Sequence, residues 1–151
     1  MPVDTNIILQ QAIAAHQLND LYLAEKLYLS ILKIDDQHPD ANHNLGILYI
    51  SVEQPLDALP LLRSALEAHP QIEQFWVSYF EALSSAGKFS DARAILEAGR
   101  KNNLQPEIIV RLETVLTLAE SDDDMHHPKP RNDPPELRIK HLAQLYESGL
   151  H

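Results

Sequence analysis

The chain has 151 residues, 44% of them hydrophobic and 23% charged, which is typical of one globular domain. Its 22 acidic and 12 basic residues give a net charge of −10, so nucleic acid and anionic membranes are disfavoured as partners, because phosphate binding needs cations. The absence of cysteine excludes disulfides and thiol catalysis, and no apolar run approaches the roughly 18 residues that a membrane span needs.

Apolar periodicity predicts three pairs of helices along the first hundred residues. They are expected near residues 5–17 and 20–35, 39–52 and 55–68, and 72–86 and 89–102. Asp20 and Ser90 have side chains suited to N-terminal caps, and Asn102-Asn103 is expected to close the sixth helix. Pro55 suits a first helical turn, whereas Pro60 predicts a kink or a later start of the fourth helix.

The three pairs are related by an internal repeat with a constant period. Ala24, Ala58 and Ala92 are equally spaced along the chain and stand at the same place in the segments DLYLAEKLYLSIL, QPLDALPLLRSAL and KFSDARAILEAGR. The middle unit is the most complete, with Leu45-Gly46, Tyr49, Leu62 and Pro70 around its alanine. Alanine and glycine are expected where two helices cross closely, and the larger apolar residues are expected to pack between units.

This pattern resembles the tetratricopeptide repeat, a helix–turn–helix unit of about 34 residues. The resemblance covers roughly residues 5–104 and implies an all-α, right-handed solenoid of three units, near residues 5–38, 39–72 and 73–104. Two units depart from the family pattern. The third unit has the expected Trp76 and Gly87, but Tyr79-Phe80 stands where the family has Leu-Gly, and Leu104 stands where it has a closing proline. The first unit departs from the pattern at the same places, with Gln11-Ala12 and Asp36.

A seventh helix is predicted at residues 107–120, where its apolar face would cap the exposed end of the third unit. Residues 121–135 hold four prolines and three consecutive aspartates, which predicts a linker. Its Asp122–Asp124, His126 and His127 are not expected to hold a metal ion, because ligands need fixed geometry. Residues 136–151 have helical spacing, typical of a further repeat if the chain is a fragment, which we favour, or of a terminal helix that folds back on a solenoid.

In the tetratricopeptide family the first helix of each unit lines a concave groove that holds ligands. The resemblance therefore implies a peptide-binding groove formed by Asn6, Leu9, Gln10, Ile13, His16, Gln17, Asp40, His43, Asn44, Ile47, Ile50, Ser51, Gln74, Val77, Ser78, Glu81, Ser84 and Ser85. For the five aliphatic residues of this set, packing between units is the favoured alternative. His16 and His43 are also typical of solvated surface histidines, and Asn44 could bond a neighbouring helix.

Two family relationships bear on the ligand. Repeats that clamp the C-terminal carboxylates of chaperones carry cations on these helices, and none of the three first helices contains lysine or arginine, so a clamp is not expected. Asn44-Leu45-Gly46 resembles repeats of O-linked N-acetylglucosamine transferases and their SPINDLY-like bacterial relatives, in which asparagines grip a peptide backbone. Gln10 and Ser78 stand at the equivalent places in the other units.

The resulting hypothesis is a protein–protein interaction module without catalytic residues, cofactor or metal. No nucleophile on a glycine-framed turn and no phosphate-binding loop is present in the sequence. A substrate-recruiting region of a larger glycosyltransferase and a module that self-associates through residues 136–151 are the alternatives. The N-terminal sequence lacks the pattern of a signal peptide, so a cytoplasmic location is expected.

Overall fold

The structure, a computed structural model, describes residues 3–123, and over this range it consists of seven α-helices without strands. The helices are α1 Thr5–Gln17, α2 Leu21–Ile34, α3 Pro39–Ser51, α4 Pro55–Ala68, α5 Glu73–Ser85, α6 Phe89–Lys101 and α7 Pro106–Asp123. The all-α solenoid of helix–turn–helix repeats predicted from the sequence is thereby confirmed. No helix in the described range has the length and apolar character needed to cross a membrane.

The ends of the helices correct three expectations. Asp20 caps α2 by accepting a hydrogen bond from the Leu23 amide at 3.3 Å, as predicted. Ser90 is no cap, because α6 begins one residue earlier, after Lys88. The fourth helix starts at Pro55 with Pro60 in its interior, so the later start is wrong. Residues 121–123 belong to α7 and not to the linker, whereas residues 124–135 and 136–151 lie outside the described range.

The turn inside each repeat depends on one residue in the left-handed conformation. Asn19, Glu53 and Gly87, which stand one repeat period apart, have φ of 60°, 61° and 74°. The amide of the residue that follows each of them reaches back to a carbonyl five residues earlier, at 2.8 Å in all three turns. This hydrogen bond satisfies a carbonyl at the end of the first helix and turns the chain sharply into the second.

The helices stack into a solenoid in which odd and even helices have different neighbours. Each helix packs against the next one in the chain, and the odd-numbered helices also pack on one another in the order α1, α3, α5 and α7. The even-numbered helices pack mainly against the odd-numbered ones. The odd-numbered helices thus form a continuous inner layer, and grooves remain between the outer helices.

The closest helix crossings are made at small residues. A Cβ atom added to Gly46 would lie 2.5 Å from Cδ2 of Leu62, which confirms that α4 passes directly over this glycine of α3. Ala24, Ala58 and Ala92 are fully buried at the repeated position of the second helices. The repeat of alanine and glycine in the sequence is therefore explained by helix–helix distance.

Helix α7 occupies the place of a first helix in a fourth unit. It packs on α5 and α6 and buries Ile109, Leu112 and Leu116 in the cluster that contains Phe80 and Leu96. Ion pairs Arg93–Glu120 and Arg100–Glu113 join α6 to α7 at the surface. Because exposed ion pairs contribute little, the apolar contacts hold this helix in place.

Candidate functional site

The residues predicted to line the groove all lie on α1, α3 and α5, but they differ in accessibility. Those with exposed side chains are Asn6, Gln10, Gln17, Asp40, Ser51, Gln74, Glu81 and Ser85. Ile13, His16, His43, Asn44, Ile47 and Ile50 are half-buried. The prediction that a ligand can reach them is wrong for four residues whose side chains are buried, namely Leu9, Val77, Ser78 and Ser84. Leu9 and Val77 pack in the core clusters, as the alternative interpretation held.

One cavity unites predicted residues of the first two units. We call this cavity, which has a volume of about 310 Å³, the inner pocket. Its lining residues are Ile13, His16, Gln17, Tyr28 and Asn44. Tyr28 comes from α2 and was not among the predicted site residues, because its place in the repeat is a packing position. An aromatic residue at that position, with a hydroxyl that needs a partner, was the available signal in the sequence.

The lining of the inner pocket is mainly apolar, and its polar groups are uncharged. His16 Nδ1 lies 3.2 Å from the Tyr28 hydroxyl, and the two rings meet edge to face with centroids 6.0 Å apart. Burial lowers the pKa of His16 and raises the pKa of Tyr28 to about 12, so both side chains are neutral near pH 7. With the amide of Asn44, the pocket offers hydrogen-bond donors and acceptors beside the apolar surface of Ile13.

A hydrogen-bonded cluster links the second unit to the third. The Ser78 hydroxyl lies 2.8 Å from His43 Nε2 and accepts a hydrogen bond from Gln74 Nε2 at 3.1 Å. The His43 ring also packs on Phe75, with centroids 4.8 Å apart. Burial lowers the pKa of His43, opposed by a hydrogen bond with Asn44 and by the charge of Asp40.

This cluster contains a serine next to a histidine, as hydrolases do, but its geometry does not support catalysis. Ser78 has no exposed surface, so no substrate atom can approach its hydroxyl. The pair instead satisfies the buried Ser78 hydroxyl and the half-buried His43 ring, and it holds α5 against α3. Within residues 3–123, no three histidine or carboxylate side chains are placed to hold a metal ion.

The two asparagines of α3 have different environments. Asn42 is 2% exposed and donates to the Asp36 carbonyl and the Ser64 hydroxyl, at 3.1 and 3.2 Å, so it is a structural residue. Asn44 is half-buried and lines the inner pocket. Sequence alone could not separate the roles of these two neighbouring amides.

Charged side chains of both signs lie in the groove toward α7. Burial raises the pKa of Glu81, and the charge of Arg111 on α7 opposes this shift. A single arginine therefore stands near the acidic side chain at this end. Sequence reasoning missed Arg111 because α7 was considered only as a cap.

Comparison with known proteins identifies the fold. Residues 50–116 match the family described as tetratricopeptide repeat. The chain is similar to the tetratricopeptide-repeat domain of Sgt2 from Aspergillus fumigatus, with 17% identity, a TM-score of 0.66 and coverage of 86% of this chain and 87% of that one. It is also similar to the first such domain of human RPAP3, with 12% identity, a TM-score of 0.65 and coverage of 82% and 97%.

The chain has the tetratricopeptide-repeat fold. The family match over residues 50–116 and the two structural neighbours agree on this fold. A double mutant of MamA is a further similar structure, with 16% identity, a TM-score of 0.59 and coverage of 82% and 79%. Structural similarity at identities this low establishes the shared fold but does not identify a ligand of this chain. Among curated protein sequences, none matches this chain.

Proposed function

We propose that this tetratricopeptide-repeat domain binds a partner's peptide segment along α1, α3 and α5, with the inner pocket as its anchor point. The supporting observation is that Ile13, His16 and Asn44, predicted from different units, line one cavity. All three residues are half-buried, so part of the surface of each remains open to a ligand. Cytoplasmic location and a protein partner remain parts of this proposal.

The chemistry of the pocket favours an uncharged ligand group. An asparagine amide donates and accepts at once, so Asn44 can pair with a peptide unit whatever side chain that unit carries. The apolar surface of Ile13 lies in the same cavity and can take an aliphatic or aromatic group. A charged group would lose its hydration without gaining a counter-ion, because none of the five lining residues is charged near pH 7.

The proposal is tested with a random peptide library displayed on phage and selected against the full chain. Peptides that bind are then measured by fluorescence polarisation against the double variant Ile13→Ala, Asn44→Ala. Removing the apolar contact and the amide is expected to weaken binding at least about tenfold, the equivalent of 1.4 kcal/mol. Asn102→Ala is the matched control, since Asn102 is an exposed asparagine at the end of α6.

The outcomes are distinct. Weaker binding by the double variant with an unchanged helical circular dichroism spectrum supports the inner pocket. Unchanged binding by the double variant would place the peptide site elsewhere on the solenoid, and a library without binders would contradict peptide recognition as such.

A recruiting role within a larger glycosyltransferase is the second candidate, favoured by the half-buried Asn44 in the Asn-Leu-Gly sequence. It predicts that substrate peptides of such an enzyme compete with the selected library peptides for the inner pocket. Self-association through residues 136–151 is the third candidate. It predicts a dimer in light scattering that becomes a monomer when those residues are deleted, and an unchanged mass would eliminate it.

A further inference from the structure

A carboxyl group lies in the apolar contact between the first two repeats. Glu25 of α2 is 2% exposed, and the nearby Ala24 and Tyr28 pack in the core cluster that α2 shares with α3. One hydrogen bond joins the carboxyl to the Tyr49 side chain on α3, whereas its Oε2 atom has no hydrogen-bond partner among the described residues. A buried polar atom left unsatisfied destabilises the contact that contains it.

The next boundary between repeats shows that the fold does not need a carboxyl at this position. Leu59 and Leu83 stand one repeat period after Glu25 and Tyr49. Leu83 is buried in the apolar cluster of the second and third units, and Leu59 packs against that cluster. The first boundary therefore carries a titratable group where an aliphatic residue serves the packing of the second.

No cation is placed to neutralise the ionised form of Glu25. Its helix packs against α1 and α3, which contain no lysine or arginine. The other titratable residues of the three helices are His16 on α1, Tyr22, Lys26, Tyr28 and Lys33 on α2, and Asp40, His43 and Tyr49 on α3. Both lysines are exposed, and Asp57 of α4, which lines a cavity with Tyr49, is itself acidic. Burial raises the pKa of Glu25 to about 7, and only the hydrogen bond with Tyr49 opposes this shift.

The inner pocket is built across the same boundary. Four of its five lining residues, Tyr28 among them, belong to the first unit, and Asn44 belongs to the second. Tyr28 lies one turn after Glu25, so the two side chains are on the same side of α2. A separation of α2 from α3 would move Tyr28 away from Asn44. The pocket therefore exists only while the contact that contains Glu25 is closed.

We propose that Glu25 and Tyr49 form a proton-dependent latch that holds the first repeat closed on the second while Glu25 is protonated. An ionised carboxyl group needs water or a counter-ion, and the closed contact supplies neither. Loss of the proton therefore favours a state in which α1 and α2 have separated from α3. Because repeats of a solenoid pack on their neighbours, the first unit can open while α5–α7 stay folded. Control of the inner pocket by the latch rests on the proposed function, whereas the latch itself does not.

The pH range of opening follows from the protonation of Glu25 in the two states. In the open state the carboxyl is hydrated and has its ordinary pKa of 4.5, whereas in the closed state it keeps its proton up to about pH 7. Opening is therefore favoured as the pH rises, and Glu25 increases the opening constant about tenfold from pH 6 to pH 8. His16 acts in the opposite direction, because burial lowers its pKa in the closed state.

Amide hydrogen exchange tests the latch in the full chain, measured by NMR at pH 6 and pH 8 and divided by the intrinsic exchange rates. The opening constant of α1 and α2 is expected to rise about tenfold more in the wild type than in Glu25→Gln, which shares His16. At pH 8 it is expected to exceed that of the most protected amides of α5–α7 at least tenfold, since local opening precedes global unfolding. Glu25→Leu, which copies Leu59, is a second variant without the titration. Glu67→Gln is the matched control and should respond like the wild type, since Glu67 is exposed.

Three results would overturn the proposal. A pH response retained in both Glu25 variants would assign it to other groups, and equal opening constants in all helices would assign it to unfolding of the whole chain. A peptide that binds the inner pocket only in the closed state, added at a hundred times its Kd, lowers the opening constant of α1 and α2 about a hundredfold. Bound peptide without this protection would separate the pocket from the latch. A lack of binding peptides would contradict the proposed function alone, because the exchange of the free chain still decides the latch.

Discussion

Glu53 occupies the position in its turn that the first unit fills with Asn19 and the third with Gly87. All three have positive φ, which glycine adopts freely, asparagine tolerates, and other residues adopt at a cost of about 1–2 kcal/mol. The hydrogen bond from the Gln54 amide to the Tyr49 carbonyl, at 2.8 Å, holds Glu53 in this conformation. The second unit therefore carries local strain that its neighbours avoid.

Glu53→Asn is expected to raise the free energy of unfolding by about 0.5–1 kcal/mol, because it relieves this strain. The change is measured by urea denaturation. Glu53→Gln is the control, since it removes the same negative charge and keeps an unsuited side chain at positive φ. A gain of equal size in both variants would show that charge, and not backbone strain, is responsible.

Glu25 is a carboxyl group buried between the first and second units. It is 2% exposed, and burial raises its pKa to about 7, although a hydrogen bond with Tyr49 opposes this shift. Its Oε2 atom has no hydrogen-bond partner. The unfolded chain loses this proton near pH 4.5, whereas the folded chain keeps it to about pH 7. The free energy of unfolding therefore falls as the pH rises through this window.

Glu25→Gln keeps the shape of the side chain and removes its titration. Between pH 5 and pH 7.5, the wild type is expected to lose about 2 kcal/mol more stability than the variant, measured by denaturation at each pH. His16 and His43 act in the opposite direction, because their lowered pKa values cost stability as the pH falls below 6.5. Both proteins share these histidines, so the difference isolates Glu25, and parallel profiles would contradict its assignment.

At the scale of the element, α4 is the helix whose sequence opposes its structure. Pro60 lies in its interior, and the helix nevertheless continues from Pro55 to Ala68. Its buried face, with Ala58, Leu62, Ala65 and Leu66, explains this continuity, because tertiary packing outweighs the loss of one backbone hydrogen bond.

Pro60→Ala is expected to raise the free energy of unfolding by about 1–3 kcal/mol, since alanine restores the donor to the Leu56 carbonyl. Pro55→Ala is the control, because a proline at the first helical position costs almost nothing. A variant that is no more stable than the wild type would show that the helix already accommodates the proline without loss.

For the whole molecule, stability depends on the closure of the last repeat. Ile109, Leu112 and Leu116 of α7 cover the apolar side of α5 and α6. Gly99 belongs to the same contact, because a Cβ atom there would collide with the Leu104 side chain and meet Ile109. A solenoid that ended at α6 would expose this surface to water.

Ending the chain after residue 105 is expected to lower the free energy of unfolding by about 4 kcal/mol or more, given that three largely buried side chains each contribute about 1.5–3 kcal/mol. Thermal unfolding followed by circular dichroism measures the loss. A chain ending at residue 123 is the control, since it keeps α7. Similar melting temperatures for the two truncations would mean that the first six helices are stable without their cap.

The sequence by itself determined the repeat, the number of helices through residue 123 and most of their ends. These features depend on local periodicity and on alanine and glycine at fixed spacing, which a single chain displays. Gly46 and Asp20 were assigned correctly because each role is local to one helix crossing or one helix start.

Only the tertiary structure decided which polar residues are accessible. It placed Tyr28 beside Asn44, buried Ser78 and Val77, and left Leu29 exposed while burying Glu25. Each of these outcomes depends on how far a neighbouring helix covers the residue. This coverage differs between residues at the same repeat position. The repeat period gives the direction of a side chain from its helix, but the depth of burial is set by side chains of adjacent units, which periodicity does not specify.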